Sequence, residues 1–178
     1  MTFHRRMRAL SLRIPALVIA TVMSAACAPR AKRSNEMARI RTAIAAEIAK
    51  SVEATRTENI DAYMDQIPVG LVIRDESGEI ITREQQRENT LRDWHVIERT
   101  RAIEVVIDSM TLHGDSATVF TSQRWDRLMY ERDGKTLDTV VTTQRHREIW
   151  RVTPGGWRSF EIEELGGTVE VNGRPYVP

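Results

Sequence analysis

The stretch RHREIWRVTPGGWRSFEIEEL, residues 145–165, decides how this chain folds. Pro154-Gly155-Gly156 is turn chemistry, with one φ fixed by proline and two residues free to reverse the chain sharply. On either side lies an extended run, with Trp150 near the end of the first and Trp157 at the start of the second. The spacing predicts a strand over 137–152, a tight return, and a last strand over 157–165. Side chains of a strand alternate between its faces, so if Trp150 points inward, Gln144, His146 and Glu148 point inward with it.

The same period of two continues upstream. Ile103, Val105 and Ile107 alternate with Glu104 and Asp108, and Gly114-Asp115 turns the chain. Residues 117–130 then make a long strand ended by Asp133-Gly134, a strong hairpin signal. Four long antiparallel strands in a meander follow. Gly166-Gly167 is expected to end the last of them, leaving 166–178 as an extended tail in which Asn172-Gly173 marks a minor hairpin and Pro175 keeps the segment at an edge.

Ahead of the strands the period is helical. Met37, Ile40, Ile44, Ile48 and Val52 recur at three and four residues, the stripe of an amphipathic helix starting at residue 36. A second helix is expected over 58–67, with Thr57 as N-cap and Pro68 as the stop. Residues 69–74 and 79–81 flank the turn Asp75-Glu76-Ser77-Gly78 and read as a short strand pair. Thr82 with Gln85 forms a capping box, which predicts a third helix over 83–97. Its expected inward stripe is Leu91, Trp94, His95 and Glu98, with Gln86 and Arg87 near its start.

The first 26 residues have a different character. His4-Arg5-Arg6-Met7-Arg8 is a basic start, residues 14–23 are apolar, and Ser24-Ala25-Ala26 are small, the pattern of an export signal. The only cysteine, Cys27, follows directly. The stretch Ser24-Ala25-Ala26-Cys27 resembles the lipobox of bacterial lipoproteins, which implies a lipid on Cys27 and, with Ala28 after it, an outer-membrane lipoprotein; the alternative is ordinary cleavage behind Ala26, which leaves a free thiol on a soluble periplasmic or secreted protein. Residues 27–35 are small, basic and contain Pro29, which suits a flexible tether. The domain proper is thus expected over 36–165.

Composition narrows the function. At 178 residues the chain holds one domain, and no apolar run reaches the length of a bilayer-spanning helix. Loss of the leader removes four arginines and no acidic residue, turning a net charge of +1 into −3, so a general nucleic-acid binder is disfavoured. One cysteine allows neither an internal disulfide nor a cysteine metal site. His113 falls in a turn and His4 in the leader, so no metal site is expected, and no phosphate loop or nucleophile elbow appears to imply a cofactor.

Three helices, the third set apart by a strand pair, then four long strands: that order resembles the nuclear transport factor 2-like superfamily, also called SnoaL-like or cystatin-like α+β. The most specific likeness lies in residues 145–165, with Trp150 and Trp157 on either side of a glycine turn. The resemblance implies an α+β fold in which a cone-shaped, curved antiparallel sheet wraps three helices and leaves a pocket at the open end. It also implies functions from isomerisation, cyclisation and dehydration of hydrophobic substrates to simple binding. One member, ketosteroid isomerase, pairs an Asp base with a Tyr and a protonated Asp as oxyanion donors. That set does not map here: Tyr63 lies on the second helix, and no Asp falls clearly on the inner face of the third or fourth long strand.

The expected pocket residues are Tyr63, Trp94, His95, Gln123, Trp125, Gln144, His146 and Trp150. Arg127 shares a strand face with Gln123 and Trp125. His146 and Glu148, with Tyr63, are the candidates for acid and base, because imidazole titrates near neutrality and a carboxylate orients it. Arg124, Asp126, Arg145, Arg147 and Arg151 suit a solvated outer face, or a homodimer contact through the sheet. The missing acid/base constellation favours a lipid-anchored envelope domain that binds a small apolar ligand or a protein partner without catalysis. The alternatives are an isomerase, cyclase or hydratase of hydrophobic small molecules, and a dimeric scaffold whose tail from Thr168 adds to a neighbouring sheet edge.

Overall fold

The computed structural model describes residues 27–176, with side chains from residue 33 onward, so the leader read in 1–26 lies outside the described residues. The chain divides into Met1–Glu36 and Met37–Pro178, and the contacts below all lie within the second unit. The elements are α1 (Cys27–Arg56), α2 (Ile60–Gln66), β1 (Val72–Arg74), β2 (Ile80–Thr82), α3 (Arg83–His95), β3 (Ile97–His113), β4 (Ser116–Tyr130), β5 (Leu137–Thr153), β6 (Gly156–Val171) and β7 (Arg174–Pro175). This is the expected α+β order of three helices, a strand pair and four long strands.

α1 begins at Cys27, so the residues expected as a tether are helical. Pro29 lies in the first turn, where a proline removes no intrahelical hydrogen bond, and the Ala, Lys and Arg around it are good helix formers. The N-cap of α2 is Asn59 rather than Thr57: its side-chain oxygen accepts from the Ala62 N–H. Thr57 instead donates its hydroxyl to the Glu53 carbonyl, closing the end of α1. The capping box at Thr82 and Gln85 is formed in both directions. α3 stops at His95, two residues short of expectation, and β3 starts at Ile97 because the Val96 carbonyl accepts from the Tyr130 N–H and Ile97 already pairs with Met129.

The seven strands form one sheet in the order β2-β1-β6-β5-β4-β3, with β7 paired to β6. Among the described residues, only the β1–β6 pairing is parallel. The long strands are not uniform. A bulge between Ile107 and Ser109 moves the inward set of β3 from Ile103, Val105 and Ile107 to Met110 and Leu112. Such an extra residue bends its strand and increases the local twist.

A second bulge corrects an expectation. Gly166-Gly167 does not end the last strand: β6 runs on to Val171, and the ladder with β5 resumes at Gly167 opposite Gln144. Gly166 has φ +109°, and a Cβ on Gly167 would stand 2.0 Å from the Thr143 carbonyl oxygen. The glycines therefore let the ladder pass through the irregularity instead of stopping it. Residues 166–171 belong to the sheet, and Asn172-Gly173, both with positive φ, turn the chain into β7.

One hydrophobic cluster holds α1 to the sheet. Ile44, Ile107, Ala117, Val119 and Trp150 are buried, with Ile40, Ile48, Met110, Leu112 and Trp157 packed against them. Outside, the sheet is charged. Arg147 pairs with Glu163 at 2.6 Å and Arg151 with Glu161 at 2.7 Å, contacts worth at most about 1 kcal/mol at such exposure.

Gly167→Ala is expected to cost about 2 kcal/mol or more, because the new methyl meets backbone rather than a movable side chain. Gly155→Ala, where the nearest atoms stand at 3.9 Å, is expected to stay within about 0.5 kcal/mol of wild type. Urea denaturation of both variants checks the pair.

Candidate functional site

Register decides what faces the helices. Across β4 and β5, Thr121 pairs with His146, Gln123 with Gln144, and Trp125 with Thr142. All of these point inward, with Ile103 and Val105 of β3 beside them. α1 supplies Ile48 and Val52, α2 supplies Tyr63, and α3 supplies Asp93 and Trp94. Together they line a cavity of about 460 Å³, within the range of small-molecule sites.

The structure brings most of the expected residues to this one place. Tyr63, Trp94, Gln123, Trp125, Gln144, His146, Glu148 and Trp150 all line the cavity. His95 does not: it is exposed at the end of α3, because the inward stripe runs through Gln86, Thr90 and Trp94 and not through Leu91. Leu91 is 38% exposed, and Glu98 is an exposed residue of β3. The inward stripe of α3 is instead Gln86, Asn89, Thr90, Asp93 and Trp94. Trp94 meets Tyr63 edge to face, with ring centroids 5.8 Å apart.

Glu148 is buried to 7% exposure. Thr121 donates to its Oε1 at 2.9 Å and Trp150 Nε1 donates to its Oε2 at 2.8 Å. Burial pushes its carboxyl above the usual carboxylate range, and these hydrogen bonds oppose the shift. Burial likewise pushes the His146 imidazole down, favouring the uncharged ring. With both Glu148 oxygens engaged elsewhere, among the described residues no hydrogen bond couples His146 to this carboxylate. The Tyr63 hydroxyl is raised by burial and accepts from Gln86 Nε2 at 3.0 Å.

Five charged residues of the cavity, Glu47, Asp93, Arg127, Arg158 and Glu164, were not singled out from the sequence as site candidates. Arg127 lies with its guanidinium 4.2 Å from the Trp125 ring centroid and donates from Nη2 to Thr142 at 3.0 Å. Burial lowers its pKa while Asp93 opposes the shift. Asp93 is raised by burial, against the pull of Arg92 and Arg127. The signal for Asp93 was its place seven residues after Gln86 and three after Thr90, one helix face. Deeper on the wall, Arg158 donates to Glu47 at 2.8 Å, both side chains mostly buried. Glu164 is raised by burial and by Glu76 and Asp75. Among the described residues, no three His, Cys, Asp or Glu side chains group as a metal site would require.

No protein-family model matches the chain, and no curated protein matches it. Solved structures do. A proposed scytalone dehydratase from Novosphingobium aromaticivorans superposes with a TM-score of 0.63 at 8% identity, over 76% of this chain and 90% of its own. A nuclear transport factor 2-like protein from Cytophaga hutchinsonii gives 0.56 at 18% identity, over 70% and 95%. A nuclear transport factor 2-like superfamily protein from Salmonella enterica serovar Typhimurium gives 0.57 at 16%, over 73% and 92%. These likenesses establish the nuclear transport factor 2-like, cystatin-like α+β fold. Chemistry has to be argued from the site.

The direction of the Glu148 shift has a consequence for stability. A carboxyl raised on folding favours the folded state while protonated, so its contribution is full below the unfolded pKa and is lost as pH rises through the folded one. Glu148→Gln keeps an acceptor for Trp150 and a polar partner for Thr121 without the ionisation. Its stability is therefore expected to fall less than that of wild type between pH 5 and pH 8, measured by urea denaturation at both.

Proposed function

We propose that this chain is an exported, lipid-anchored domain of the bacterial cell envelope whose cavity binds a small, mostly apolar molecule without transforming it. The observation that carries the binding reading is the cavity itself: about 460 Å³ walled by Trp94, Trp125, Ile103, Val105, Ile73 and Ile162, and open rather than plugged by the tryptophans. Burying a ligand's apolar surface there is favourable at about 25 cal/mol per Å². The non-catalytic reading rests on how the acid/base candidates are occupied. Glu148 holds Thr121 and Trp150, Tyr63 accepts from Gln86, and among the described residues no hydrogen bond joins His146 to a carboxylate, although Glu164 stands opposite it in the ladder.

One observation favours the alternative, an isomerase, cyclase or hydratase acting on a hydrophobic small molecule: Asp93 and Arg127 both line the cavity and desolvation raises the Asp93 carboxyl, a direction that suits a general base. One of the solved relatives is called a proposed scytalone dehydratase and another an aromatic ring hydroxylase of the same standing. The anchoring part of the proposal rests on the leader and Cys27. No helix among the described residues is long and apolar enough to cross a membrane.

The neutral dye N-phenyl-1-naphthylamine is expected to bind the mature domain with a rise in fluorescence. Val105→Trp, which fills the cavity from β3, is expected to weaken it at least tenfold; unchanged binding would place the dye elsewhere and defeat the reading. Expressed with its leader in a two-membrane bacterium, the chain is expected to fractionate with membranes and to carry acyl mass on Cys27. Cys27→Ser is expected to abolish both, by cell fractionation and intact-mass spectrometry.

A further inference from the structure

Acidic and basic side chains are not mixed evenly along this chain. All 25 acidic residues lie at or beyond residue 36. Without the leader the chain begins CAPRAKRSN, residues 27–35, which carries Arg30, Lys32 and Arg33 and no acidic residue, a charge of +3. Of the 26 basic residues, four lie in the leader and three here, so 36–178 holds 19 against 25 acidic ones, a charge of −6.

The basic segment runs against the preference of its own backbone. α1 begins at Cys27, and its first turn holds no acidic residue. Arg30, Lys32 and Arg33 fall in its first two turns, where unpaired N–H groups give the helix end a partial positive charge that favours carboxylates and disfavours cations. A local choice that opposes the structure around it marks a functional demand. The fold itself makes no use of these charges among the described residues. Arg33 is exposed, and the ion pairs of α1, made through Glu47 and Glu53, lie toward its other end. Arg41 shows the contrast, since it donates to the Ile107 carbonyl and so serves the packing of α1 on the sheet.

We propose that residues 27–35 bind an anionic phospholipid surface, with Arg30, Lys32 and Arg33 set against lipid phosphates beside the acyl group on Cys27. The proposal rests on the reading of Cys27 as the acylated residue and adds which lipids that anchor selects. Attraction to a charged surface is screened beyond about 10 Å at ordinary salt. At about 1.5 Å of rise per residue, Arg33 lies roughly 9 Å along the helix from Cys27, so all three charges act within that range. A single acyl chain holds a protein only marginally, and a basic cluster beside it supplies a second attraction. Residues 36–178, with the opposite net charge, supply none, so the selectivity belongs to these nine residues.

Because Cys27 is the sole cysteine, the anchor can be imitated chemically. The chain from Cys27 onward, carrying one tetradecyl group on the Cys27 sulfur, is sedimented with vesicles of phosphatidylcholine, alone or with about one-third phosphatidylglycerol. Salt is set at about 0.1 M and about 1 M, which screen charges beyond roughly 10 Å and roughly 3 Å. At the lower salt the anionic vesicles are expected to bind roughly a hundredfold tighter, about fivefold for each basic residue. At the higher salt the advantage is expected to vanish, a result that needs no variant. Arg30→Gln/Lys32→Gln/Arg33→Gln is expected to abolish it while binding to phosphatidylcholine is unchanged. Arg132→Gln/Lys135→Gln/Arg174→Gln, the same loss of charge at exposed positions elsewhere, is expected to leave it intact. Equal binding to both vesicles, an advantage that survives the higher salt, or its loss in the second triple variant as fully as in the first would each overturn the proposal. The natural acyl group is read separately, from the mass on Cys27. Its absence would defeat the anchoring reading, whereas the vesicles decide the lipid preference by themselves, since there the alkyl group is added by chemistry.

Discussion

The cavity exists because the sheet bends, and the sheet bends where its hydrogen-bond ladder is interrupted. Shifts of register fall between Ile97 and Arg99, Thr100 and Ala102, and Ile107 and Ser109 in β3, and at two places between β5 and β6. An unbroken ladder of strands this long would carry one parity of side chains along its whole inner face. The bulges let β3 and β6 change parity midway, so apolar residues continue to face the helices as the strands curve. Gly167 is where this constraint is tightest, since the passing Thr143 carbonyl leaves room for no side chain at all.

That curvature divides the inner face into two ends with different energetics. Near the Ala117–Trp150 pair the face is filled by Ile44, Val119 and Ile107, and burial of this cluster secures α1. Moving along the same two strands past Thr121 and His146 toward Trp125 and Thr142, the packing opens and polar atoms appear. Glu148 stands at the boundary. A buried carboxyl is costly, and it is tolerated here because both oxygens have donors and because the shift of its pKa favours the uncharged form.

The period of two, the capping box and the turn glycines gave the order of elements and placed His146, Glu148, Gln144 and Trp150 on one face. The alternating face was readable because a strand has only two faces. The register between strands was not, and so the shared face of Gln123, Trp125 and Arg127 became useful only once β4 and β5 were paired. The helix faces are less legible: Leu91, Trp94, His95 and Glu98 have helical spacing, and so have Gln86, Asn89, Thr90, Asp93 and Trp94, so only packing tells which stripe faces inward. Gly166-Gly167 misled because glycines ending a strand and glycines passing a bulge have the same local chemistry. Only the carbonyl of Thr143, brought close by the fold, tells them apart.

The electrostatic character of the cavity follows from desolvation more than from any pair of charges. His146 is pushed down and Glu148 up, and both shifts favour the neutral form of the group. A histidine in water gains a proton as the medium becomes mildly acidic, whereas His146 resists until the pH is lower. A glutamate in water is ionised above the carboxylate range, whereas Glu148 holds its proton further up. The inner wall of β5 therefore keeps its uncharged state over a wider pH interval than its sequence, with His146 and Glu148 two residues apart, would imply.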